Sequence, residues 1–122
     1  VPPRVKKTRN NGQWSEARFK SFIKSLLRKG TMKWGPVHTT KKAGWVERGK
    51  YLCAECKQVV PLKKDGKKNV FVDHVNPVVS PEEGFVSWDR YIERMFCEAE
   101  GLQVLCGDCH SRKTKEERGR RK

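Results

Sequence analysis

The stretch Cys106-Gly107-Asp108-Cys109-His110-Ser111-Arg112-Lys113-Thr114 decides how this chain is read, because it gathers two thiols, an imidazole and an ammonium within one short segment. A second pair, Cys53 and Cys56, has the same C-x-x-C spacing, and Asp73-His74 lies between the two pairs. Each C-x-x-C supplies two sulfur ligands from one tight knuckle, and tetrahedral Zn(II) accepts four thiolates at about 2.3 Å each. The two pairs therefore predict a closed structural zinc site. The segment from Cys56 to Cys106 is longer than in a simple zinc ribbon, so the metal should tie distant parts of the chain together, and its loss should unfold the domain. Cys97 is left over and reads as a small buried hydrophobe.

With the sulfurs assigned, Asp73 and His110 offer a hard oxygen and a borderline nitrogen, a set suited to Mg, Mn, Ni or Zn at an open site. In strand geometry the neighbours Asp73 and His74 point to opposite faces. One can hold a metal while the other reaches a water. His38 has no motif beside it and is read as structural.

Composition bounds the rest. At 122 residues the chain is one domain with a modest core, since a chain of this size buries roughly two thirds of its unfolded surface. Hydrophobic residues make up 35% and charged residues 34%, which favours a metal staple as a supplement to packing. The net charge of +14 attracts a polyanion, most simply nucleic acid, through counterion release. No apolar run approaches the roughly 18 residues of a membrane span, so a cytoplasmic protein without a membrane partner is expected. Cysteines in such a reducing compartment read as metal ligands rather than disulfides.

Residues 1–11, with Pro2, Pro3, Arg4, Lys6, Lys7 and Arg9, are expected to form a flexible basic arm. Ser15 should cap a helix running to about Lys29 and stopped by Gly30, with Phe19, Phe22, Ile23, Leu26 and Leu27 on its apolar face. Lys20, Lys24 and Arg28 fall elsewhere on its surface and are candidate DNA contacts. Pro36 begins a short helix or irregular stretch, with Trp34 and Trp45 as core plugs. Gln58 to Leu62 and Asn69 to Val75, flanking Asp65-Gly66, read as the two arms of a hairpin whose second arm carries Asp73-His74. Ser80-Pro81-Glu82-Glu83 predicts a helical turn ended by Gly84. Ser87 should cap a helix to about Cys97 that packs Trp88, Tyr91, Ile92, Met95 and Phe96 into the core. The acidic residues of 82–100 should face away from DNA. Asp108 is the predicted N-cap of a last helix reaching about Glu117, on which His110, Lys113, Thr114 and Glu117 share a face. Residues 118–122 read as a basic tail in which Arg118 and Arg120 meet DNA.

The residues Phe71-Val72-Asp73-His74, then Leu102-Gln103-Val104-Leu105-Cys106-Gly107-Asp108-Cys109-His110, then Lys113-Thr114, together with Cys53 and Cys56, resemble the HNH (His-Me finger, ββα-metal) endonucleases. The run from Trp14 to Phe22 and that from Gly84 to Arg94 also resemble small bacteriophage members of that family. The resemblance implies an α+β fold, a zinc-stapled ββα-metal core at about 51–117 inside a single 12–117 nuclease domain with flanking helices. It also implies metal-dependent cleavage of DNA phosphodiesters. His74 would be the general base, Asp73 and His110 the ligands of the catalytic divalent ion, and Lys113 a phosphate contact. The partners implied are duplex DNA and other phage DNA-processing proteins, in the host cytoplasm. One position departs from the pattern. Gly101 stands where relatives commonly have an Asn before the Leu-Gln pair, and Gly has no side chain to brace the loop that carries the base. Asn76 is the nearest substitute.

Three rival readings are weaker. Composition alone permits a zinc-stabilised DNA-binding module without catalysis, which leaves Asp73-His74 and His110 unexplained. Cys106-x-x-Cys109-His110 also spells a c-type haem attachment sequence, which leaves Cys53 and Cys56 without a role. An RNA-binding protein fits the charge but lacks the aromatic runs of the common RNA modules.

Overall fold

The computed structural model describes residues 4–120. Pro2, Pro3, Arg121 and Lys122 of the expected arm and tail lie outside the described residues. The chain divides between Lys33 and Trp34 into two compact units, rather than at residue 11.

In the first unit, β1 (Lys7–Arg9) pairs antiparallel with β2 (Trp14–Ser15). Residues expected in a flexible arm are thus part of a strand pair. Asn10, Asn11 and Gly12 adopt positive φ, which turns the chain back, and Arg9 lies 4.4 Å from the centre of the Phe19 ring while pairing with Glu16 at 3.0 Å. Helix α1 (Glu16–Gly30) starts where expected, with the Ser15 hydroxyl accepting from the Arg18 amide. Its end differs. Gly30 is the last helical residue, and Thr31 caps it in right-handed geometry. None of its residues is buried.

The second unit holds the cysteines and Asp73-His74. Helix α2 (Gly35–Ala43) has Pro36 in its first turn, as expected, where a missing N–H costs nothing. Strands β3 (Trp45–Glu47), β4 (Lys50–Leu52) and β5 (Val59–Pro61) form an antiparallel sheet in that order. Trp45 lies on an outer strand and is 54% exposed, so it plugs no core, whereas Trp34 packs edge-on against Phe96 and donates its indole N–H to the Cys97 carbonyl at 2.7 Å. Strands β6 (Lys63–Lys64) and β7 (Lys67–Lys68) flank Asp65 and Gly66, whose φ angles of 54° and 75° are both positive, as a type I′ turn requires.

The turn at Asp65-Gly66 forms as expected, but the two arms meet only at their inner ends, where the Asn69 amide donates to the Leu62 carbonyl, and β5 and β8 share no ladder. β5 pairs with β4, and β8 (Val70–His74) pairs with β9 (Leu102–Cys106), from Val70 opposite Cys106 to His74 opposite Leu102. The reason is burial. Leu102, Val104, Leu105 and Cys106 are all buried, so β9 is covered on both faces, and such a strand needs a partner along its length to satisfy its backbone.

Between β8 and β9 the chain forms the single turn expected at residues 80–84, with the Gly84 amide donating to the Ser80 carbonyl at 2.8 Å and no longer helix built on it. It then enters α3 (Trp88–Met95), capped by Ser87 as expected. α3 ends before Cys97; it buries Tyr91 and Met95 and leaves Ile92 42% exposed. Helix α4 (Gly107–Arg120) begins one residue before Asp108, which sits in its first turn rather than capping it. Arg118 and Arg120 belong to its last turn instead of a tail, where positive charge complements the helix dipole. Mixed helix and strand, with its core in the second unit around Val70, Leu105 and the cysteines, matches the α+β expectation.

Candidate functional site

The cysteines come from two local structures. Cys53 and Cys56 occupy the loop between β4 and β5, where the Cys53 amide donates to the Gln58 carbonyl at 3.0 Å and the Lys57 amide to the Cys53 carbonyl at 3.0 Å. Lys57 adopts φ 61°, closing the knuckle. Cys106 ends β9 and Cys109 lies in the first turn of α4. The Ala54 amide donates to the Val104 carbonyl at 2.8 Å, which ties the knuckle to β9.

The four sulfurs lie within 4.8 Å of one another, and Cys56 and Cys106 are 4.0 Å apart. A tetrahedron of Zn–S bonds has edges of about 3.8 Å, so a small contraction onto an ion suffices. These cysteines can hold a structural metal such as zinc. Their environments divide the protons unequally. Burial alone would raise the Cys53 thiol, but the amides of Cys106, Cys56 and Glu55 outweigh it and bring its pKa to about 6. Burial and the neighbouring sulfurs push Cys109 to about 12, and Cys56 is also raised. So many thiolates at this distance repel one another unless a cation neutralises them.

The residues expected to form a second metal site have separate fates. Phe71 and Asp73 alternate onto one side of β8, and α4 crosses that side. The His110 ring stacks on Phe71 at 4.3 Å and 9°. Asp73 Oδ2 meets the Lys113 ammonium at 2.7 Å, a close ion pair, although its angles fall outside hydrogen-bond geometry. Lys113 also reaches Glu117 at 2.8 Å and donates to the His74 carbonyl at 2.8 Å. Its ammonium is thus held by three oxygens of the protein, at the edge of the open cavity it helps to line. His74 Nε2 lies 2.8 Å from the carbonyl oxygen of Met95 on α3. Among the described residues, the cysteine set is the one cluster of three or more His, Cys, Asp or Glu that can hold a metal. Asp73 and His110 have suitable donor atoms, but Lys113 stands at the carboxylate.

Gly101 is tightly packed against Cys97. A Cβ built there would lie 2.9 Å from the Cys97 sulfur, closer than the two atoms can approach. The loop is joined here through the backbone, with the Val75 amide donating to the Gly101 carbonyl at 2.9 Å. Asn76 does not bond this loop; it lines an open cavity of about 390 Å³ with Gln103, Arg112, Lys113 and Glu117.

The expected DNA cations also divide. Arg118 is exposed at the end of α4, and on α1 Lys20 and Arg28 are exposed and Lys24 half-buried. Arg120 pairs with Glu82 at 2.6 Å, so at least one acid of 82–100 lies beside a proposed DNA contact rather than away from it. Sequence reasoning missed the Met95 carbonyl, for which no residue type is a signal. It also missed the stacking of Phe71 on His110, although Phe71 stands two residues before Asp73 and therefore on its face of the strand.

Among the described residues, no helix is long and apolar enough to cross a membrane. Comparison with protein-family models, with curated proteins and with solved structures finds no match.

Proposed function

We propose that this chain is a metal-dependent endonuclease of the HNH kind acting on DNA, with His74 as general base and Asp73 and His110 as ligands of a divalent ion. The observation that carries this reading is the contact of His74 Nε2 with the Met95 carbonyl at 2.8 Å. A ring nitrogen facing a carbonyl oxygen must carry the proton, so Nδ1 keeps the lone pair that can take a proton from water. A base held by a second group that sets its tautomer is the arrangement that activation of a nucleophile requires. The order β8, β9, α4, with the last two joined by cysteines, supports the reading as well.

The divalent ion, when bound, supplies charge neutralisation at the phosphate and the departing 3′ oxygen. Lys113 has to leave Asp73 before such an ion enters. In-line attack would leave a 5′-phosphate and a 3′-hydroxyl.

Purified zinc-loaded protein is expected to nick supercoiled plasmid with added Mg, Mn or Ni. His74→Ala should keep the fold and DNA affinity while losing cleavage by roughly 10²-fold or more. Protein that binds DNA but never nicks it under any divalent ion would sink the enzyme and leave a zinc-stabilised DNA-binding module. That second reading is favoured by one observation, the ion pair that occupies Asp73.

A further inference from the structure

We propose that the β6–β7 hairpin is a phosphate-binding prong that grips the backbone of duplex DNA beside the candidate site. The inference rests on the reading that the chain acts on DNA, and it places a contact where none of the cations considered above lies. Lys63 stands opposite Lys68 and Lys64 opposite Lys67, and the whole hairpin from Lys63 to Lys68 is exposed.

Opposed residues on paired strands have Cβ atoms about 4.5–5.5 Å apart, and like charges placed so destabilise the pair. Successive residues alternate in direction, so one lysine pair faces each side of the ribbon. Among the described residues, no carboxylate forms an ion pair with Lys63, Lys64 or Lys67. Such a repulsive arrangement is relieved by an anion that two ammoniums share, and a phosphodiester backbone presents such anions in series.

The prong has a rigid root. The Asn69 amide donates to the Leu62 carbonyl at 2.9 Å, closing the hairpin. The Asn69 side chain, in a residue only 8% exposed, donates to the Pro61 carbonyl at 3.1 Å and accepts from the Gly107 amide at 3.1 Å. Gly107 lies between Cys106 and Cys109, so the prong is bolted to the cysteine cluster. A side chain at Gly107 would collide with the Asn69 amide oxygen, 2.8 Å from where its Cβ would stand. The prong also adjoins the candidate site. The Lys68 ammonium lies 5.0 Å from the centre of the Phe71 ring, the ring that stacks on His110.

The test uses the full zinc-loaded chain and the variant Lys63→Gln/Lys64→Gln/Lys67→Gln, which spares Lys68 and its contact with Phe71. Binding to a short labelled duplex is measured by fluorescence anisotropy from about 50 to 200 mM salt, without free divalent ions. Each phosphate neutralised contributes about 0.9 to the slope of log affinity against log salt, and a lysine pair shares one phosphate, so the slope should become shallower by about 1 to 2. A control, Lys42→Gln/Lys57→Gln/Lys115→Gln, removes the same charge elsewhere and should change the slope less. An unchanged slope, or an equal loss in the control, overturns the inference, as does wild-type protein that binds anionic phosphatidylserine vesicles but not duplex. Plasmid nicking is scored separately. A chain that shows the slope change and never nicks keeps the prong and loses the nuclease reading. A chain that nicks with an unchanged slope does the reverse.

Discussion

Replacing Lys113 by Met removes the ammonium that joins the end of β8 to α4 while keeping most of the side-chain volume. At 2.7 Å and an effective dielectric of about 20, the pair with Asp73 carries roughly 6 kcal/mol of direct attraction, most of which desolvation cancels. The single variant loses more than the net worth of the pair, because it strands the carboxylate. Stranding a fully buried partner costs about 3–5 kcal/mol. The Lys113 and Asp73 side chains are 24% and 19% exposed, so solvent screens part of the orphaned charge, and a loss of about 2–3 kcal/mol is expected. Removing both charges, in Lys113→Met/Asp73→Asn, should cost only about 1 kcal/mol. Burial opposes charge on Lys113, yet its ion pairs with Asp73 and Glu117 prevail and hold its pKa above 10.5. A raised lysine stabilises fully below its unfolded pKa and loses that contribution as pH rises through the folded value. The gap between wild type and Lys113→Met should thus be constant through neutral pH and close only above about pH 10.5. Urea unfolding of the zinc-loaded proteins, followed by tryptophan fluorescence, measures it. A single variant within about 0.5 kcal/mol of wild type, or a double variant less stable than the single, would refute the reasoning.

Three further outcomes are expected. Gly101→Ala should cost about 1–3 kcal/mol through overlap with the Cys97 sulfur, and Cys97→Ala, which removes that sulfur, should restore much of it. A thermodynamic cycle on the two positions reads the coupling, and strict additivity would reject the packing account of Gly101. Zinc loading at pH 7.5 should release at least two protons, those of Cys56 and Cys109, whose thiols are raised. Calorimetry in buffers of different ionisation enthalpy counts them, and a release near zero would mean that these cysteines are not ligands. In the same titration, Cys106→Ser should show weakened zinc binding and lose cooperative unfolding.

Where the signal is local, reading the chain alone goes far. Ser15 and Ser87 cap helices at the expected residues because a hydroxyl three positions ahead of a free amide needs nothing beyond its own segment. Asp65-Gly66 turns the chain because two successive positive φ angles are cheap there. The cysteine cluster was legible because C-x-x-C spacing is itself a geometry, and only the approach of the two halves had to be supplied by the fold. The pairing of the hairpin lysines opposite one another on a rigid root came only from the fold.

Tertiary structure alone decided the rest, because it depends on which distant segments meet. Strand pairing is a competition among all partners in the chain, and β9, buried on both faces, won β8 from the nearer β5. That choice set Asp73 under Lys113 and laid His110 on Phe71. His74 found its partner in the carbonyl of Met95, a group that every residue has and that no sequence pattern marks. The sequence by itself determined the residue types that can bind a metal and move a proton; the packing of α4 on β8 and the approach of the end of α3 to His74 determined which of them hold each other, since an ion pair or hydrogen bond exists only where the backbone brings its two ends within about 3 Å.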